Sequence, residues 1–301
     1  MRLRHTLKPL LLASSAAVIL AACAPAAEDT PPPEAPAEEV AEASPAPAPV
    51  LTVDVLDCGT IGVSDLDAFS SAGDFAGQSD EFTNTCYLVN HPDGRLLWDL
   101  GLPSQLVGQP PFTQQIFTVS VEKSITEQLA DLGVVPSELS YVSISHSHFD
   151  HIGQVDQVQG ATWLVNQTEY DAMFPADGAP PADPSLTENY ALFKPMETQI
   201  IEDRHDVFGD GSVVIFKTPG HTPGHASLQL TLPESGPVLL TGDLYHRTES
   251  RALSRVPRFN TSEEETLASM ATFETRATDL EAKVVIQHEP DDVVPLGGII
   301  R

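Results

Sequence analysis

The feature that most constrains this chain is the run Ser143–Gly153, SISHSHFDHIG, where three histidines and an aspartate fall within six residues directly after an alternating apolar stretch. A strand ends near Ser145, so the histidines sit on the loop at its carboxyl edge, where α/β proteins commonly build sites. His146 and His148 alternate, and an extended backbone sends both imidazoles the same way. Asp150 and His151 are adjacent, fall where a helix is expected to begin, and cannot share that direction. The spacing predicts two metal ions side by side, one on His146 and His148 and one on Asp150 and His151. Imidazole and carboxylate donors favour zinc, with iron, manganese or cobalt as alternatives.

Three further stretches repeat the signal. Strand Ser212–Lys217 runs into TPGHTPGH, which carries His221 and His225. Strand Pro237–Thr241 delivers Asp243, and the apolar segment Lys283–Gln287 delivers His288. Four strand ends each presenting a ligand is far from a chance distribution of histidines.

The rest of the chain frames this site. Residues 1–22 combine Arg2, Arg4 and Lys8 with an apolar core, a signal-peptide pattern, and Leu20-Ala21-Ala22-Cys23 resembles the lipobox of bacterial lipoproteins. That resemblance implies lipidation of Cys23 and an exported chain, held at the outer membrane facing the periplasm. Residues 23–50 are rich in Pro, Ala and Glu, lack Lys and Arg, and read as a disordered tether. Residues 51–301 suffice for one domain with a sizeable core. Cys58 and Cys86 either pair or stay buried as thiols, and the sequence leaves both open. A formal charge of −28, about −31 once the basic signal is removed, argues against nucleic acid as a partner.

Within the domain, Thr85–Asn90 and Arg95–Asp99 flank the turn His91-Pro92-Asp93-Gly94 and predict a hairpin. Val121, Ile125, Leu129 and Leu132 predict a helix ending at Gly133. Thr261-Ser262-Glu263-Glu264 resembles a capping box opening a second helix, with Leu267, Met270, Phe273, Ala277 and Leu280 on its inner face. The pattern is one of sheets covered by helices.

HSHFDH, TPGHTPGH, LLTGD and VVIQH, in this order, resemble the metallo-β-lactamase superfamily across nearly all of residues 51–301. The resemblance implies a four-layer αββα sandwich. It assigns His146, His148 and His221 to one metal, Asp150, His151 and His288 to the other, and Asp243 to both as a bridge. Asp99 takes the position of a buttressing acid, although Leu100 stands where the family more often has Thr, and His225 is expected to support rather than bind. A hydroxide held between the metals would attack a carbonyl, with Asp150 orienting it and relaying a proton. Tyr245 and His246 are the candidates to contact the carbonyl oxygen. The combination most resembles N-acyl-homoserine lactonases, although those often carry Tyr where His246 stands. Glyoxalase II-like thioesterases and β-lactamase-like hydrolases are the enzymatic alternatives, and a periplasmic metal-binding protein the non-enzymatic one. The substrate is a small molecule, and two stretches, Gly108–Thr118 and Asp177–Leu186, are placed to shape its pocket. Oligomeric state is not legible.

Overall fold

The computed structural model describes residues 50–301. The expected signal peptide, Cys23 and the tether up to residue 49 lie outside the described residues. The first sheet contains β1 (Thr52–Val63), β2 (Asp80–His91), β3 (Gly94–Trp98), β4 (Phe112–Gln114), β5 (Phe117–Ser120), β6 (Tyr141–Ser143), β7 (Thr162–Asn166) and β8 (Thr198–Ile201). Their order is β4-β5-β1-β2-β3-β6-β7-β8. The second contains β9 (Arg204–Asp206), β10 (Val213–Lys217), β11 (Ala226–Leu232), β12 (Gly236–Leu240) and β13 (Lys283–Val285), in the order β13-β12-β11-β10-β9. A last strand, β14 (Ile299–Ile300), returns to β1. The hairpin of β2 and β3 turns where expected, with His91 opposite Gly94.

Strand alternation assigns the layers. In β2, Cys86 and Leu88 enter one core while Tyr87 and Val89 enter another; in β7, Trp163 and Val165 part in the same way from Leu164. The inner core joins Val53, Tyr87, Leu96 and Trp98 of the first sheet to Val213, Ile215, Leu228, Leu230, Val238 and Leu240 of the second. Outside the first sheet lie α1 (Ile125–Asp131), through Ile125 and Leu129, and α2 (Gln167–Met173), through Met173. Outside the second lies the long helix 263–279, through Met270, Phe273 and Ala277 against Phe216 and Leu239. The architecture is the expected αββα sandwich.

Three details differ from the sequence expectation. The helix over 121–132 is confined to α1, because Ser124 caps it in a reciprocal box with Glu127 and Val121 instead bridges to Val107. The long helix is capped one residue later than expected, by Ser262 on the amide of Glu265, which turns Leu267 outward at 40 % exposure and Thr266 inward. No helix begins at Asp150. Residues 144–154 form successive turns, tied to the loop after β3 by Leu100 N–H to His151 O (2.9 Å) and Gly153 N–H to Gly101 O (2.8 Å). A Cβ at Gly153 would lie 2.2 Å from the Leu102 carbonyl carbon, so this close approach requires glycine. Cys58 and Cys86 pair as a disulfide between β1 and β2.

Candidate metal centre

The carboxyl ends of β3, β6, β10, β12 and β13 meet at one edge of the sandwich, and each delivers part of the site. After β6, Ser145 is pinned by its amide to Asp99 Oδ1 (2.6 Å). Asp99 itself holds the left-handed conformation, φ +64°, with its amide on Ser143 O and its Oδ2 accepting from Gln287 Nε2 at 2.8 Å.

Two groups of side chains then offer ligand atoms that lie within 4.8 Å of one another: His146, His148, His221 and Asp243, and Asp150, His151 and His288. Asp243 joins them. Its Oδ2 lies 3.3 Å from His221 Nε2 and 3.5 Å from His146 Nε2, while its Oδ1 lies 3.0 Å from His288 Nε2 and 3.1 Å from His151 Nε2. Asp150 Oδ2 stands 3.6 Å from both His151 Nε2 and His288 Nε2. Ligands about 2.0–2.1 Å from a tetrahedral zinc sit roughly 3.3–3.5 Å apart, and the spacings of this set, 3.0 to 3.6 Å, bracket that range.

The chemistry of the donor atoms points the same way. His151 Nε2, His221 Nε2 and Asp243 Oδ1 are sealed from solvent without a hydrogen-bond partner. The opposite ring nitrogens are engaged: His288 Nδ1 donates to Thr83 O (2.7 Å), His221 Nδ1 to Asn260 Oδ1 (2.7 Å), and His151 Nδ1 faces Asp99 Oδ2 (3.1 Å). These contacts fix the tautomers and leave the Nε2 lone pairs for a cation. Unpaired buried polar atoms are costly, so such a convergence fits two bound metal ions.

The protein's own field agrees. Burial and neighbouring imidazoles hold His146 and His148 well below the usual histidine range, in the neutral form that binds metal. Burial opposes a charged His151, but Asp243, Asp99 and Asp150 outweigh it and raise that imidazole well above its ordinary value. Burial would likewise raise Asp243, yet His151, His288 and His246 hold it well below the carboxylate range. His225 is pulled down to about 3 by burial and accepts the Asp243 amide at 2.9 Å, so it braces the bridging position from behind.

Above the site lies a cavity of about 270 Å³, lined by His148, Asp150, Asp243, His246 and His288 and by Phe69, Phe82, Ile116, Phe117, Phe149 and Phe259. A second space of about 430 Å³ shares Gln115, Phe117 and Phe149 with it and reaches Phe112, Asp183 and Leu186. Of the two stretches expected to shape the pocket, Gly108–Thr118 lines the cavity over the site and Asp177–Leu186 lines only the adjoining space. Tyr245 lines neither. Its phenol donates to Glu274 Oε1 at 3.0 Å and its ring packs among Leu239, Met270 and Phe273. Burial and Glu274 raise its pKa, and with the hydroxyl committed to Glu274 and the ring outside the cavity lining, the expected carbonyl contact is withdrawn for this residue. His246 stays at the site, with Nε2 3.0 Å from Asp243 Oδ2.

Residues 79–288 match the family model of the metallo-beta-lactamase superfamily. The chain belongs to this superfamily. Among curated relatives, an N-acyl homoserine lactonase AttM of Rhizobium radiobacter is 31 % identical over 216 residues, covering 68 % of this chain and 81 % of that protein. The AttM lactonase of Rhizobium johnstonii is 32 % identical over 214 residues, with the same coverage. A solved N-acyl homoserine lactone hydrolase, with the product N-hexanoyl-L-homoserine at its catalytic metal center, superposes with a TM-score of 0.69 at 25 % identity, over 80 % of this chain and 94 % of that one.

Several residues that hold this superfamily site together carry no local sequence signal. Gln287 links Asp99 to Trp98 Nε1 and to the Gly242 amide. Asn260 orients His221 from the loop before the long helix. Glu169, buried on α2, ties the two histidine loops together: Oε1 accepts from Ser147 N–H (2.8 Å), and Oε2 from Gly224 N–H (2.8 Å) and Thr222 Oγ1 (2.9 Å). Glu169→Gln replaces one acceptor by an amide donor that must face a donor. It is expected to cost about 2 kcal/mol of stability, read as a lower urea midpoint at unchanged slope. An unchanged midpoint would remove Glu169 from this role.

Proposed function

We propose that this protein is a dinuclear metal-dependent hydrolase that opens N-acyl-homoserine lactones or closely related carboxylic esters. The observation that carries the proposal is the convergence of two groups of ligand atoms on Asp243 at the floor of an aromatic cavity, with His151 Nε2, His221 Nε2 and Asp243 Oδ1 buried without a hydrogen-bond partner. His146, His148, His221 and Asp243 Oδ2 would hold one ion, and Asp150, His151, His288 and Asp243 Oδ1 the other, with zinc the natural first choice for this donor set. When bound, two divalent ions supply Lewis-acid polarisation of a carbonyl and a water acidified enough to attack near neutral pH.

The chain's own residues do the rest. Asp150 faces the cavity, 6 % exposed, where its carboxylate can orient the attacking water and pass a proton to the departing alkoxide. Phe69, Phe82, Phe117, Phe149 and Phe259 offer a neutral acyl chain an apolar wall and thin the water around the reacting carbonyl. Attachment through Cys23 would place this pocket at a membrane facing the periplasm, an oxidising compartment that suits the Cys58–Cys86 disulfide.

One preparation tests the reading. At saturating zinc, elemental analysis is expected to find two ions per chain, and an N-acyl-homoserine lactone is expected to outpace a thioester, a phosphodiester and a β-lactam in kcat/KM. No more than one ion would end the dinuclear assignment, and faster turnover of any of the other three would end the lactone assignment.

A further inference from the structure

The ring of His246 is held by two aromatic neighbours and by a hydrogen bond at one edge. It stacks on His288 at 5.6 Å and 8° and meets Phe69 edge-on at 4.8 Å. Its Nε2 lies 3.0 Å from Asp243 Oδ2. A carboxylate only accepts, so Nε2 must carry the hydrogen and donate it. Nδ1 then keeps its lone pair. Among the described residues no protein group pairs with Nδ1, and it is not one of the sealed polar atoms, while His246 itself forms part of the cavity wall. A tyrosine at this place would bring a hydroxyl donor to the pocket; this histidine brings an acceptor.

We propose that His246 Nδ1 is a specificity-determining acceptor that recognises an N–H donor on the substrate next to the scissile carbonyl, the acylamino N–H in the case of an N-acylated lactone. The inference rests on the lactone reading above and adds to it the group on the substrate that is read. It also reassigns the residue: in this tautomer His246 cannot donate to the carbonyl oxygen or protonate the leaving group, which leaves proton relay to Asp150. The hydrogen bond forms as the substrate seats, and no bond is made or broken at His246.

The test uses two lactones of equal chain length, one with the acylamino group and one with an acyloxy group in its place, which keeps the shape and removes the N–H. Ring opening is followed at saturating zinc with metal content verified. The native enzyme is expected to favour the acylamino lactone in kcat/KM by about threefold to tenfold, the range of one neutral hydrogen bond. His246→Phe should bring that ratio close to one, and His246→Gln, which keeps a donor for Asp243 and an oxygen acceptor, should restore part of it. The same ratio in native protein and in His246→Phe would overturn the inference while leaving lactone hydrolysis intact. Loss of an ion from His246→Phe at saturating zinc would overturn it in favour of a metal-holding role. Native protein that opens neither lactone would overturn the lactone reading and this inference with it.

Discussion

Asp243→Ala is expected to empty both metal sites under mild chelation and to abolish turnover with them. The carboxylate is the group proposed to serve both ions, and four imidazoles approach its oxygens within 3.3 Å: His151, His221, His246 and His288. Its truncation takes from both groups their common anionic donor and the charge that draws a cation to them, a loss of about 3–5 kcal/mol of the kind seen when one partner of a buried charged contact is removed. At about 1.4 kcal/mol per tenfold, that is a weakening of metal affinity by roughly a hundredfold to a few thousandfold. Asp243→Asn keeps the shape and one oxygen while dropping the charge, so it should fall between the variant and the native protein. Competition against a graded series of chelators, with zinc counted per chain, reads the effect directly. Retention of two ions by Asp243→Ala at chelator concentrations that the native protein barely survives would show that the two sites do not share this residue.

The candidate ligands were legible because they cluster in the turns after four short strands, β6, β10, β12 and β13. Each of the four carries a buried apolar residue at or next to its end. The residues that hold the ligands were not legible, because their partners are remote in sequence. Glu169 reaches 55 positions to Gly224, and Gln287 reaches 188 to Asp99. Much of the aromatic wall is equally hidden: Phe117 lies in a stretch expected to shape the pocket, but Phe69, Phe82 and Phe259 come from three other segments, and each reads in isolation as a core residue. Tyr245 and His246 show a different kind of miss. The backbone at Tyr245 is extended, φ −137° and ψ 142°, and successive residues of an extended chain point to opposite sides. Both could not face the pocket, and the ion-pair and packing partners of Tyr245, Arg251–Glu274 and Phe273, sit on the far side of the second sheet. The helix boundaries slipped for a simpler reason: Ser124 and Ser262 compete with neighbouring polar residues for the cap, and the choice is settled by tertiary contacts such as Ile125 N–H on Gln154 Oε1.

Asp150→Asn separates metal binding from proton transfer. The side chain keeps its size and one oxygen toward the His151 and His288 pair, from which Asp150 Oδ2 stands 3.6 Å, so the site should still fill at saturating zinc. The backbone carbonyl of residue 150 stays fixed by Asn84 Nδ2 at 2.9 Å, so the turn should not move. What disappears is a carboxylate that can take a proton from water and give it up again. In the metal-free chain, burial raises this carboxyl from its ordinary value while His151 and His288 pull the other way. The substitution therefore acts on the transition state more than on capture of the substrate, and KM should change far less than kcat. A fall in kcat on the order of a hundredfold or more is expected, the usual worth of a positioned acid–base group. The comparison is made with two ions verified in both proteins. If Asp150→Asn then keeps near-native kcat on every lactone, ester and thioester that the parent cleaves, Asp150 serves only to hold metal, and the proton must travel by another group in the cavity.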